Sequence, residues 1–125
     1  MSHFTRIKTQ IVDKEYLLKA LDELGYEYET GSVEVRGLAG ERTRAEVKVK
    51  LGLGREIGFR RVSGTYDVVA DTWGLGINLK DFSQKVTQRY AYHTTIARLQ
   101  AQGFDLVGEE QAQDGQIRLT LRRMA

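Results

Sequence analysis

From Ala45 to Leu51 apolar and charged residues alternate one for one, with Ala45, Val47, Val49 and Leu51 set against Glu46, Lys48 and Lys50. Successive side chains of a strand point to opposite sides, so this run reads as a strand with one dry face and one wet face. Ile117, Leu119 and Leu121 alternate with Arg118, Thr120 and Arg122 in the same way. A sheet built from such strands has to cover its dry side, and two stretches of this chain have the helical spacing to do it.

The first is 14–24. Leu17, Ala20, Leu21 and Leu24 form one apolar stripe, Asp13 is placed to cap it, and Val12 and Leu17 have the spacing of a hydrophobic staple. Gly25 follows the last Leu, where a left-handed residue closes a helix without steric cost. The second helix starts after Asn78, with Asp81 three residues on and Ile77 and Phe82 as the staple. Phe82, Val86, Tyr90, His93 and Ala97 share one face, and Gly103 stops the run after about 24 residues, or roughly 36 Å. Weaker strand signals lie at 4–11, 26–29, 33–37, 57–62, 65–71 and 104–109. Gly64 marks a tight hairpin between 57–62 and 65–71, and Asp114-Gly115 marks another between 104–109 and 117–122. The pattern predicts one α+β domain over 1–125: a largely antiparallel sheet, both helices packed on one face, and chain order β-α-β-β twice around a central hairpin.

Composition narrows the chemistry. The 125 residues contain no Cys, which excludes disulfides, thiolate metal sites and a cysteine nucleophile. The longest strongly apolar run is Val68-Val69-Ala70, far below the roughly 20 residues that span a bilayer, and Met1–Arg6 holds no signal-peptide core. The expectation is a soluble protein that stays where it is made and uses no membrane. A formal charge of +2 implies no charged partner.

Each candidate for chemistry has a plainer reading. Gly52-Leu53-Gly54 and Gly74-Leu75-Gly76 resemble phosphate-cradling loops, but neither has the Walker lysine or completes a dinucleotide fingerprint, so turn chemistry accounts for them. His3 and His93 are the only histidines, and no residue set has metal-ligand spacing, so no metal and no cofactor are predicted. His93 shares a face with Phe82 and Val86, which suits a hydrogen-bonded core histidine better than a general base. Asp67 and Asp71, four apart on a strand, stand roughly 13 Å apart, too far for a retaining acid/base pair. Asp71 fits better as the residue that orients the Thr72-Trp73 turn. The four serines show no nucleophile elbow. The sheet face away from the helices is predicted to carry Arg6, Lys8, Arg36, Lys48, Lys50, Arg60, Arg118 and Arg122. Glu34, Glu46, Asp67, Asp71 and Asp105 share that face. A face so mixed, with Phe4 as its one clear aromatic, does not suit a nucleic-acid backbone.

Several motifs carry a resemblance. They are Met1 to Thr9, Ile57-Gly58-Phe59, Tyr66 to Asp71, Gln88-Arg89-Tyr90-Ala91-Tyr92, and Asp114 to Leu119. In this order they resemble the hypothetical chloroplast reading frame thirty-five family of plastids and cyanobacteria, along essentially the whole chain. The sequence departs from the family pattern at Met124, where members often carry Trp, and in the glycine-rich 74–76 loop. The resemblance implies a cyanobacterial cytoplasm or a plastid stroma, and it carries no catalytic residue onto this chain.

The function expected is a non-catalytic protein-binding or regulatory module with a protein partner. An RNA- or nucleotide-binding module is the alternative, and an enzyme comes third. The predicted partner surface is the flank of the second helix formed by Gln88, Tyr92 and Leu99, which points away from the stripe centred on Val86, His93 and Ala97.

Overall fold

The computed structural model describes residues 4–37 and 39–124; His3 and the rest of Met1–His3 lie outside them. In chain order the elements are β1 (Phe4–Lys8), α1 (Lys14–Glu23), β2 (Glu27–Arg36), β3 (Arg42–Gly52) and β4 (Arg55–Val62). Then come β5 (Thr65–Asp71), α2 (Leu79–Ala101), β6 (Phe104–Gln111) and β7 (Ile117–Arg123). They form two compact units, the first ending at Tyr90 and the second starting at Ala91.

Both helices begin and end where their signals stand. Gly25 has φ +83°, and its amide and that of Tyr26 donate to the Asp22 and Leu21 carbonyls, the paired bonds of a Schellman cap. Gly103 closes α2 at φ +89°. Asn78 caps α2 through its side chain, which accepts from the Asp81 amide at 3.0 Å. Asp13 stands at the N-cap of α1, but its side chain makes no cap bond. The Tyr90 hydroxyl of α2 instead accepts from the Val12 and Asp13 amides at 3.0 and 3.1 Å. Arg89 and Glu23 add a two-pronged ion pair between the helices.

The first unit holds a five-stranded antiparallel sheet in the order β1-β5-β4-β3-β2. One face is dry. Val47, Val49, Ile57, Phe59, Tyr66, Val68 and Ala70 pack there against Leu17, Ala20 and Leu21 of α1 and Leu79, Phe82, Val86 and Tyr90 of α2. Each of the larger fully buried side chains contributes about 1.5–3 kcal/mol, so this layer is the main stabilising element of the unit.

The segments 26–29 and 33–37, two strands in the sequence pattern, are a single strand. β2 runs through both, with a register shift between Thr30 and Val33 where Gly31 sits at φ +111°. Beyond that bulge the β2–β3 hairpin turns over the face away from the helices. Val35 and Ala45, both buried, lie against Gly58 and Val69 on that face, and the Arg36 amide donates to Glu56 at 2.8 Å. Ala45 shares its alternation with Val47, so the chain must turn over between the two. A second, small core results, and it closes only because residue 58 is glycine.

In the second unit, among the described residues, β6 and β7 pair only with each other. Asp105, Arg118 and Arg122, expected on the open face of the main sheet, therefore belong to a separate two-stranded sheet. The hairpin turns at Asp114-Gly115, with Gly115 at φ +88° and Asp114 accepting from the Gln116 amide at 3.1 Å.

Candidate functional site

The two Gly-Leu-Gly stretches are 22 positions apart in sequence, and the fold brings them together. Gly52, Leu53 and Gly54, the β3–β4 turn, have φ of +86°, +54° and +76°. Gly74 and Gly76, in the connection from β5 to α2, have φ of +71° and +81°. Arg55, the first residue of β4, ties the two loops. Its Nε and Nη2 donate to the Gly52 and Leu51 carbonyls at 3.3 and 3.2 Å, and Nη1 reaches the Leu75 carbonyl at 2.9 Å. Residue 76 suits glycine because its φ is +81°, and a Cβ there would also push aside Arg55 Nη1 and its bond to Leu75.

Between the loops lies a cleft of about 210 Å³. Two large apolar side chains stand at it in water: Leu53 is 96% exposed and Trp73, the only tryptophan of the chain, is 60% exposed. Leu53 is also strained, since the left-handed conformation costs a residue with a Cβ roughly 1–2 kcal/mol. Leu75, buried at the other side of the cleft, belongs to the core.

The two carboxylates that line the cleft are already engaged. Asp71, buried, accepts from the Trp73 amide at 3.0 Å and so orients the turn, as its sequence position suggested. Glu56 accepts from the Arg36 amide and lies 3.2 Å from Lys48 Nζ. Lys48 and Lys50 in turn pair with Glu29. The Lys50 hydrogen bond, with the charges of Lys48 and Lys50, holds the Glu29 carboxyl below the usual glutamate range, while Glu29 pushes Lys50 up. Among the described residues no Ser, Thr or His lines the cleft, and its lining offers apolar contact and an exposed Arg36.

The flank expected from the sequence lies elsewhere. Gln88 is half-buried on α2 in the first unit, and Tyr92 and Leu99 are half-buried in the second. The Tyr92 hydroxyl donates to Glu109 at 2.9 Å, and its ring meets His93 edge to face at 5.1 Å. None of the three lines the cleft. Asp67 does not join Asp71 as an acid/base pair: it is 1% exposed, with Arg6 Nε 3.2 Å from its Oδ2. Sequence reasoning took Leu53 and Trp73 only as parts of turns and did not expect both to stand exposed at one cleft. The available signal was the repeated Gly-Leu-Gly, in which one Leu proves buried and the other almost fully exposed.

Among the described residues no group of three or more acidic or histidine side chains is placed to hold a metal, and no helix is long and apolar enough to cross a membrane.

Residues 20–120 match the family described as "Protein of unknown function (DUF1257)". The chain is 32% identical to "Uncharacterized protein ycf35" of Cyanophora paradoxa over 125 residues, covering 98% of both chains. The proteins of the same name from Pyropia yezoensis and Guillardia theta are 32% and 33% identical, again over 98% of both chains. No solved structure matches the chain. A family match across most of the sequence, with relatives aligned almost end to end, places this chain in the DUF1257 family together with the ycf35 proteins of plastid genomes.

Proposed function

We propose that the chain is a non-catalytic protein-binding module, acting in a cyanobacterial cytoplasm or a plastid stroma, and that the cleft between its glycine loops takes an apolar side chain from a protein partner. The observation that carries this is Leu53. The hairpin turn needs a left-handed residue at 53, as the next hairpin does at Ser63 (φ +53°), but it does not need that residue to be a leucine, 96% exposed at φ +54°. Trp73 beside it is the residue type most often found at the energetic centre of protein interfaces. The alternative, a base stacked on Trp73, is less well supported, because Glu56 and Asp71 offset Arg36 and Arg55 and leave the lining no net positive charge for phosphates.

The test uses Trp73 as its own reporter. The chain and its Leu53→Asn/Trp73→Ser variant are used to capture proteins from a cyanobacterial extract. Each captured protein is then titrated against Trp73 emission. The proposal expects a protein retained by the native chain, lost by the variant, and able to shift the emission to the blue. A hot-spot tryptophan contributes about 2 kcal/mol or more, so its loss should weaken binding roughly 30-fold. Identical capture by both chains refutes the proposal, as does RNA being what the tryptophan retains.

A further inference from the structure

Three of the five cations of β2 and β3 are held in ion pairs. Arg42 pairs with Glu34, Lys48 with Glu29 and Glu56, and Lys50 with Glu29. A concavity of about 360 Å³ in the first unit is lined by cations of the other kind. Lys14, Arg44, Arg60 and Arg61 are among its lining residues, and none of the four belongs to an ion pair among the described residues. The one carboxylate among the described lining residues, Glu46, accepts from the backbone amide of Arg61 at 2.9 Å. Four cationic residues against one lining carboxylate leave this concavity with surplus positive charge, even with Asp67 opposite Arg60 on the neighbouring strand, and an anion that enters relieves it.

The donors are arranged for such a guest. Arg61 is fixed by neutral groups: its guanidinium donates to the carbonyls of Gly64 and Val12 and to the Tyr66 hydroxyl, and it lies over the Tyr66 ring. Those bonds orient the fork without neutralising its charge, and they use three of its five N–H groups. Arg44 donates to the Ser32 hydroxyl at 3.2 Å, which leaves that hydroxyl's own proton free to turn toward an acceptor. Ser32 and Gly31 both line the concavity, at the bulge of β2.

We infer that this concavity is a binding site for a compact phosphate-bearing ligand, of the size of a pyrophosphate or a nucleoside diphosphate. Guanidinium forks match the paired oxygens of phosphate, and the volume falls within the range of small-molecule sites. The ligand is compact because the charge is local. Beyond the concavity the cations named above are already held by carboxylates, so an extended polyanion would meet Glu29, Glu34 and Glu56. The site is separate from the cleft of the proposed function, sharing none of its lining residues, and stands or falls independently of it.

The test titrates the full chain with pyrophosphate, with ADP and with sulfate at matched physiological ionic strength, following heat release and melting temperature. Variants Arg44→Gln and Arg60→Gln, both at exposed positions, remove lining charges, and Lys19→Gln removes an equal charge outside the concavity. Pyrophosphate and ADP should bind at submillimolar concentrations and raise the melting point, and sulfate should not. Each arginine variant should weaken binding roughly tenfold, and Lys19→Gln less than twofold. Equal affinity for ADP and pyrophosphate assigns the phosphates alone, and an ADP preference of tenfold or more assigns a nucleotide; both uphold the site. Sulfate equal to pyrophosphate, arginine variants equal to the native chain, or a uridine oligomer binding more tightly than either small ligand overturns it.

Discussion

Replacing Gly58 by Ala adds one methyl group at the point where the turned-over hairpin meets the sheet. Built on the native backbone, its Cβ lies 2.6 Å from Val35 Cγ2, 3.0 Å from Ala45 Cβ and 3.1 Å from Val69 Cγ2. Three contacts inside ordinary carbon separations cannot be relieved by one rotation, since Val35 is fully buried and Ala45 has no rotamer to change. Forcing a methyl into such a site costs about 1–3 kcal/mol. Gly58 is not held at positive φ, so Ala also restricts the unfolded chain and returns about 0.4–1 kcal/mol. The net expectation is a loss of about 1–2 kcal/mol, or a melting point lower by roughly 4–15 °C for a unit of this size. Gly108→Ala is the control: its Cβ would meet only Thr120, at 3.5 Å and beyond, and should cost less than about 0.5 kcal/mol. A double-mutant cycle makes the assay specific. In a Val35→Ala background the worst contact is gone, and Gly58→Ala should then cost under about half of what it costs alone. Thermal or urea unfolding of the five chains, the native one and the four variants, reads all of this. If Gly58→Ala melts at or above the native temperature, or costs the same with Val35 removed, the turned-over hairpin is not what the glycine serves.

Tyr90→Phe removes the hydroxyl that accepts from the Val12 and Asp13 amides, and should cost about 1–3 kcal/mol in chemical denaturation, with faster amide exchange at those two residues. Arg6→Met leaves the buried Asp67 carboxylate without its partner cation; Arg6 is itself 56% exposed and water screens it, so about 1–3 kcal/mol is expected in the same assay rather than the full cost of breaking a buried pair. Glu29, held below the usual glutamate range by Lys50 and Lys48, contributes stability that is present above its unfolded value and lost as pH falls through its lower folded value. Lys50, pushed up, contributes below its unfolded value and loses that contribution as pH rises through the higher folded value. Lys50→Gln should therefore flatten both the acid and the alkaline limbs of a melting-temperature profile, and salt should do the same more weakly.

What the sequence made legible was local. The helices, the Asn78 cap, the glycine stops at 25 and 103, and the turns at Gly64 and Asp114-Gly115 each depend on a few neighbouring residues, and each stands where its signal does. Asp71 as a turn-orienting residue is local in the same sense. What stayed hidden depends on chain far away. Nothing between Tyr26 and Gly37 says that two short apolar patches are one strand, because the bulge at Gly31 takes its meaning from pairing with β3. Ala45 reads as a continuation of Val47 until the hairpin turns over. Leu53 and Leu75 sit in identical tripeptides, and only the path of β3 and β5 decides that one is buried and the other stands in solvent. The flank of Gln88, Tyr92 and Leu99 rests on helical phase, on apolar residues along it and on the Gln88–Tyr92 motif, none of which tells of the hairpin that supplies Glu109 to Tyr92.

The bulge in β2 also bears on how this chain behaves at high concentration. β2 is an outer strand, and its ten residues leave a long row of backbone donors and acceptors with no neighbour in the sheet among the described residues. A straight strand of that length is a template on which a second molecule can add its own edge, the first step toward a fibre. The register shift at Gly31 bends the row into two short, differently aimed pieces, and Glu27, Glu29, Glu34 and Arg36 put charge along both. The opposite outer strand, β1, is five residues long and carries Arg6 and Lys8. A glycine that lets a hairpin turn over its own sheet thus also makes that sheet a poor seed for assembly.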